Sequence, residues 1–87
     1  MVEILKQAIA KYGPDMQKTI AIEEMAELTK ELCKNKRGQD NWDHIAEEIA
    51  DVEIMLEQLK LIYNIGPLVL AVKEGKIRRL QDRLNNK

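Results

Sequence analysis

Acidic residues recur twice in this chain at one spacing. Glu23–Leu28 reads EEMAEL and Glu47–Val52 reads EEIADV, each an acid, acid, apolar, alanine, acid, apolar run. The pattern sets Glu24 three residues before Glu27 and Glu48 three residues before Asp51. On a helix, side chains at that spacing are surface neighbours. Carboxylates gathered from two such helices are hard oxygen ligands of the kind Mg²⁺ prefers, an ion that keeps several waters and fills its octahedron with phosphate oxygens. Little else in the chain could do chemistry. Cys33 and His44 are the single cysteine and histidine, so there is no cysteine metal cluster, no Ser–His–Asp or Cys–His set, and no phosphate-cradling glycine loop.

Two Gly-Pro pairs and one polar stretch, KNKRGQDN, punctuate segments of helical periodicity. The expected elements are four helices, over Val2–Tyr12, Asp15–Asn35, Trp42–Asn64 and Pro67–Asn85. Asp15 and Asn41 are read as N-caps, Gly38 as the breaker between the second and third helices, and Pro67 as a first helical residue. The fold class is all-α, a four-helix bundle in one domain over residues 1–87.

Rotation of about 100° per residue decides whether the acids belong to a solvated face. With Glu48 at zero, Leu59, Val52, Ile45, Tyr63, Leu56 and Ile49 fall within about 20–100° on one side, and Met55 and Ile62 within about 20–40° on the other. Glu48 therefore interrupts an apolar stripe, with Asp51 at its edge. Glu53 and Glu57 point the opposite way, toward solvent and Lys60. On the second helix Glu24 likewise lies among Leu28, Ala21, Leu32, Met25 and Ile20, with Glu27 and Glu31 extending an acidic patch beside it. Glu23 and Glu47 lie farther round. Acidic pairs on helices usually solvate a face or partner lysines. Acids inside an apolar stripe are different, because desolvated carboxylates repel one another unless protonated or joined by a cation.

The spacing Glu24-x-x-Glu27, twenty intervening residues, Glu48-x-x-Asp51 resembles the EExxE…ExxD signature of MazG-like, all-α nucleoside triphosphate pyrophosphohydrolases. The strings AIEEMAELTKELCK and HIAEEIADVEIMLEQL look like those of small phage and bacterial members, and the resemblance runs from Met16 to Arg83. It implies Mg²⁺, or Mn²⁺ in its place, held by Glu24, Glu27, Glu48 and Asp51, in a homodimer or dimer of dimers. It also implies hydrolysis of a nucleoside triphosphate, deoxynucleoside triphosphates foremost, to the monophosphate and pyrophosphate, as house-cleaning of the nucleotide pool. A carboxylate such as Glu27 would orient or deprotonate the attacking water. A phosphoribosyl-ATP pyrophosphatase is the alternative within the same superfamily.

Lys76, Arg79 and Arg83 share one face of the fourth helix and are candidates for the phosphates, although cations late in a helix also complement its dipole. Lys18 and Lys34 flank the acidic helix as weaker candidates. For the base, the candidates are Trp42, by stacking, and Gln17, about two turns before Glu24. His44, one turn before Glu48, is a candidate outer partner of the acids.

Net charge of −1 provides no electrostatic footprint for a nucleic-acid polymer. The opening residues carry charges among apolar positions and lack a small-residue cleavage motif, and no apolar run reaches membrane-spanning length, so a cytoplasmic protein is expected. Ala50, Ile54 and Leu61 form a second apolar strip on the third helix, away from Glu48, which one chain has too few helices to cover. A non-enzymatic helical dimerisation or regulatory module is the rival reading, and it expects no Mg²⁺ dependence. A carboxylate-bridged di-iron bundle would need Glu-x-x-His on two helices, which is missing here.

Overall fold

The computed structural model describes residues 1–86. Among them are four α-helices and no strand: α1 (Val2–Tyr12), α2 (Pro14–Lys36), α3 (Trp42–Tyr63) and α4 (Gly66–Asn85). The expected helices are all present, with ends that move by a residue, the usual uncertainty of helix termini.

One expected cap is displaced. α2 begins at Pro14, and Gly13, not Asp15, is its N-cap. Gly13 has φ 91°, a left-handed conformation that side chains resist, and Pro14 follows with the ring geometry suited to a first helical residue. The pair turns the chain sharply enough to fold α1 back on α2. Asn64 ends α3 in the αL conformation, with φ 55° and ψ 47°, a role asparagine tolerates better than most residues. Gly66-Pro67 then opens α4.

α2 and α3 form the central antiparallel pair. The direction follows from which residues meet: Glu31 bonds to Asn41 near the connecting loop, and Glu24 faces Glu48 and Asp51 farther along. α1 lies across both helices, whereas α4 touches only α3. The core is small. Leu5, Ala21 and Met55 are its buried apolar residues, with Gln17 and Gln58 buried among them. Leu5 and Met55 each contribute about 1.5–3 kcal/mol by burial. Gln17 Nε2 donates to the carbonyl of Ala8 at 3.4 Å, tying α2 to α1.

Much of the expected apolar stripe lies open in the single chain. Leu59, Val52 and Ile45 are half-buried, but Leu56, Ile49 and Tyr63 on the same side of α3 are exposed, as are Met25 and Leu32 on α2. α4 carries no buried residue, and Leu68, Leu70, Val72, Ile77, Leu80 and Leu84 are exposed along it. No helix among the described residues is long and apolar enough to cross a membrane.

Candidate metal centre

Glu24 on α2 and Glu48 and Asp51 on α3 come together where the two helices face each other. Each can present a carboxylate oxygen within 4.8 Å of the other two, and all three residues are half-buried. Two oxygens held on one Mg²⁺ at about 2.1 Å can be no more than about 4.2 Å apart. The three oxygens, which lie within 4.8 Å of one another, would have to draw closer than that limit to share an ion of that size.

The electrostatics describe three acids kept close without a counter-charge. The Glu24 carboxyl is pushed above the ordinary carboxylate range, first by burial, then by Asp51, through its charge and through the hydrogen bond it would accept from a protonated Glu24, and then by Glu48 and Glu27. Glu48 is pushed up as well, by burial first and then by Asp51, Glu27, Glu47 and Glu31. Glu48 Oε2 is a buried oxygen with no hydrogen-bond partner. An orphaned, partly desolvated carboxylate oxygen beside two further acids is what a bound cation would satisfy, and it is costly otherwise. The residues present thus fit a divalent ion.

The fourth expected acid stands apart. Glu27 pairs with Lys30 at 3.6 Å, with its side chain 51% exposed. It contributes charge to Glu24 and Glu48 from the open edge of the cluster. Glu31, expected to extend the acidic patch, is instead 8% exposed and fully engaged. Its Oε1 accepts from Asn41 Nδ2 at 2.8 Å and its Oε2 from Lys34 Nζ at 3.4 Å. The hydrogen bond from Asn41 holds the Glu31 carboxyl below the ordinary range against the opposing effect of burial, helped by Lys34 and His44.

These opposite shifts carry a pH signature. Groups with raised folded-state values favour the fold while protonated, so without divalent cation stability falls as pH rises through the raised values of Glu24 and Glu48. Glu31 acts in the other sense, its contribution being present above the ordinary value and lost as pH falls through the lowered one. Melting curves in a chelator are therefore expected to peak on the acid side of neutrality, and Mg²⁺ should raise the melting temperature most at neutral pH. A Mg²⁺ increment that is absent, or equal at every pH, would speak against the cluster as a cation site.

The other candidates lie elsewhere. Lys76, Arg79 and Arg83 do share a face of α4, where they border a surface patch with Asp82 and with no residue of α2 or α3. None of the three is among the charges that shift Glu24 or Glu48. Gln17 is 4% exposed and occupied by α1, so it presents no free amide to a ligand. Trp42 is the first residue of α3 and is 70% exposed, packed against little and free to stack. His44 is exposed and borders a cleft with Glu31, Lys34 and Asn41. Lys18 lies 4.8 Å over the Tyr63 ring. Cys33 is exposed.

Compared with family models, with curated proteins and with solved structures, the chain finds no match in any of the three.

Proposed function

We propose that the chain is a divalent-cation-dependent nucleoside triphosphate pyrophosphohydrolase of the MazG-like kind, acting on a free nucleotide. The observation that carries the reading is the convergence of Glu24, Glu48 and Asp51, with one buried oxygen of Glu48 left without a hydrogen-bond partner. Glu24, Glu48 and Asp51 would hold Mg²⁺ or Mn²⁺, with Glu27 joining from the edge. Bound there, the ion supplies charge neutralisation for a triphosphate and a lowered pKa for a coordinated water. The chain's own contribution is placement. The α2–α3 pair presents three acids close to one another, and Glu27, exposed beside them, would accept a proton from an attacking water. Trp42, one turn and a half before Glu48, offers a ring for a base to stack on.

Self-association belongs to the same proposal. A compact monomer of this mass exposes about 5300 Å², whereas this chain exposes 6980 Å². The excess, about 1700 Å² per chain, falls in the range that obligate dimers bury. A second copy would cover the apolar faces of α3 and α4, and the cations of its α4 are the ones available to the carboxylate cluster. The same excess surface supports a second reading, a helical dimerisation or regulatory module in which the acids bind nothing.

One experiment separates the two. A panel of ribo- and deoxynucleoside triphosphates, ordinary and modified, is incubated with protein and Mg²⁺ or Mn²⁺, and pyrophosphate is measured. At least one triphosphate is expected to give monophosphate and pyrophosphate in equal amounts, with none released in a chelator. Silence across the panel, together with melting temperatures indifferent to Mg²⁺, would favour the module.

A further inference from the structure

Count seven residues from the carboxylate cluster toward the α2–α3 loop, forward from Glu24 on α2 and backward from Glu48 on α3. The count ends at Glu31 and Asn41, which are hydrogen-bonded to each other. Seven residues are two helical turns, about 10 Å, so this pair sits directly in line with the acids on both helices. Asn41 makes two bonds across the gap. Its Nδ2 donates to the Glu31 carboxylate at 2.8 Å and to the Glu31 backbone carbonyl at 3.0 Å. Asn35 Nδ2 in turn donates to Asn41 Oδ1 at 3.4 Å. Glu31 is 8% and Asn41 6% exposed, so the bonds are made away from water, where geometry is enforced most strongly.

The arrangement breaks a local rule. Asn41 occupies the N-cap of α3, yet makes no side-chain cap bond to that helix. An asparagine cap is ordinarily worth about 1 kcal/mol, and here the side chain is committed to α2 instead. Departures of this kind from local preference concentrate where a site must be held. The bidentate grip on both the backbone and the side chain of Glu31 fixes α3 against α2 in register as well as in distance. A slide of one residue, about 1.5 Å, would break both bonds and would displace Glu24 by as much relative to Glu48 and Asp51.

We infer that Asn41 and Glu31 are positioning residues for the carboxylate cluster, a register clamp that preorganises Glu24 against Glu48 and Asp51 for a divalent ion. The inference rests on the proposed cation site. It assigns Glu31 a role distinct from that of the acids it adjoins: it grips α3 and does not ligate.

The test is Mn²⁺ affinity, read from the electron paramagnetic resonance of free Mn²⁺, with helical content checked by circular dichroism. Asn41→Ala is expected to weaken Mn²⁺ binding about tenfold or more, the usual effect of losing an outer-shell support, at unchanged helicity. Glu31→Gln, which retains an acceptor oxygen for Asn41, is expected to stay within about threefold of the unsubstituted chain on the same scale. Asn41→Asp sets two carboxylates against each other and should bind worst. Adding Glu31→Gln to it rebuilds the amide–carboxylate pair with the roles exchanged and should recover part of that loss, the bond to the residue 31 carbonyl staying lost because a carboxylate has no N–H to donate, a comparison that stands even where Asn41→Ala fails to fold. The clamp is overturned by a folded Asn41→Ala protein that binds Mn²⁺ like the unsubstituted chain, by Glu31→Gln weakening binding as much as Asn41→Ala, or by a double variant no better than Asn41→Asp. An unsubstituted chain that binds no Mn²⁺ overturns the cation site itself, and the clamp with it.

Discussion

Glu48→Gln is expected to lower the rate of pyrophosphate release by at least about 100-fold, because removing an outer support of a bound metal already costs 10- to 100-fold and this residue contacts the ion directly in the proposed site. The same substitution should raise the melting temperature in a chelator. Glu48 is held above the ordinary carboxylate range by burial and by neighbouring acids, so its charge opposes folding when no cation is present, and a neutral amide of equal size removes that opposition. Glu24→Gln should behave alike, because burial first and the charge of Asp51 next raise its carboxyl too. The two readouts move in opposite directions, a combination that a merely structural acid does not produce: loss of a stabilising carboxylate lowers both. The Mg²⁺-induced rise in melting temperature should disappear in either variant and persist in Glu3→Gln, on the exposed first turn of α1. Full activity in Glu24→Gln and Glu48→Gln would leave the proposed hydrolase without a reaction centre.

The helices and the acidic pairs were legible because both depend on short-range pattern. Rotation about the helix axis places Glu24 and Glu48 inside apolar stripes, and the structure brings them together with Asp51 for that reason. What periodicity does not carry is which neighbour claims a side chain. Glu31 lies within the same angular sector as Glu24, and from the sequence it reads as more of the same patch. The difference is made by Asn41, ten residues on, across a loop whose path depends on the positive φ of Gly38. Glu27 is likewise claimed by a neighbour that the periodicity does not single out, Lys30, three residues away on the same helix. Gln17 shows the converse. Its position two turns before Glu24 suggests a ligand contact, but α1 folds back over it at Gly13-Pro14 and occupies its amide. The apolar stripe of α3 was visible in sequence as well. Its exposure on the Ile49 and Leu56 side depends on how the other helices pack against α3, which local periodicity does not carry.

That exposure underlies the second large effect. α4 is a helix of 20 residues with none buried, touching only α3. Isolated helices of that length are marginal in water, and most helical stability in proteins comes from packing an apolar face. Leu70, Ile77 and Leu84 recur at seven-residue steps with Leu80 between the last two, a spacing suited to packing along another helix. All four are exposed. Their apolar line and the excess surface of the chain are what the proposed second copy would cover. Ile77→Asp combined with Leu80→Asp puts two charges into that contact, at about 2 kcal/mol or more for each, enough to weaken association about a thousandfold. The unsubstituted chain is expected to sediment as a dimer or larger at micromolar concentration, and the double variant as a single chain with reduced helical content. Activity should fall with the assembly, because Lys76, Arg79 and Arg83 line a patch apart from α2 and α3 within one chain and in the proposed assembly come from the partner. The acids on α2 and α3 are untouched by the change, so the double variant should still bind Mn²⁺ while failing to turn over the triphosphate. An unsubstituted chain that sediments as a monomer at every concentration would remove the partner subunit as the source of those cations.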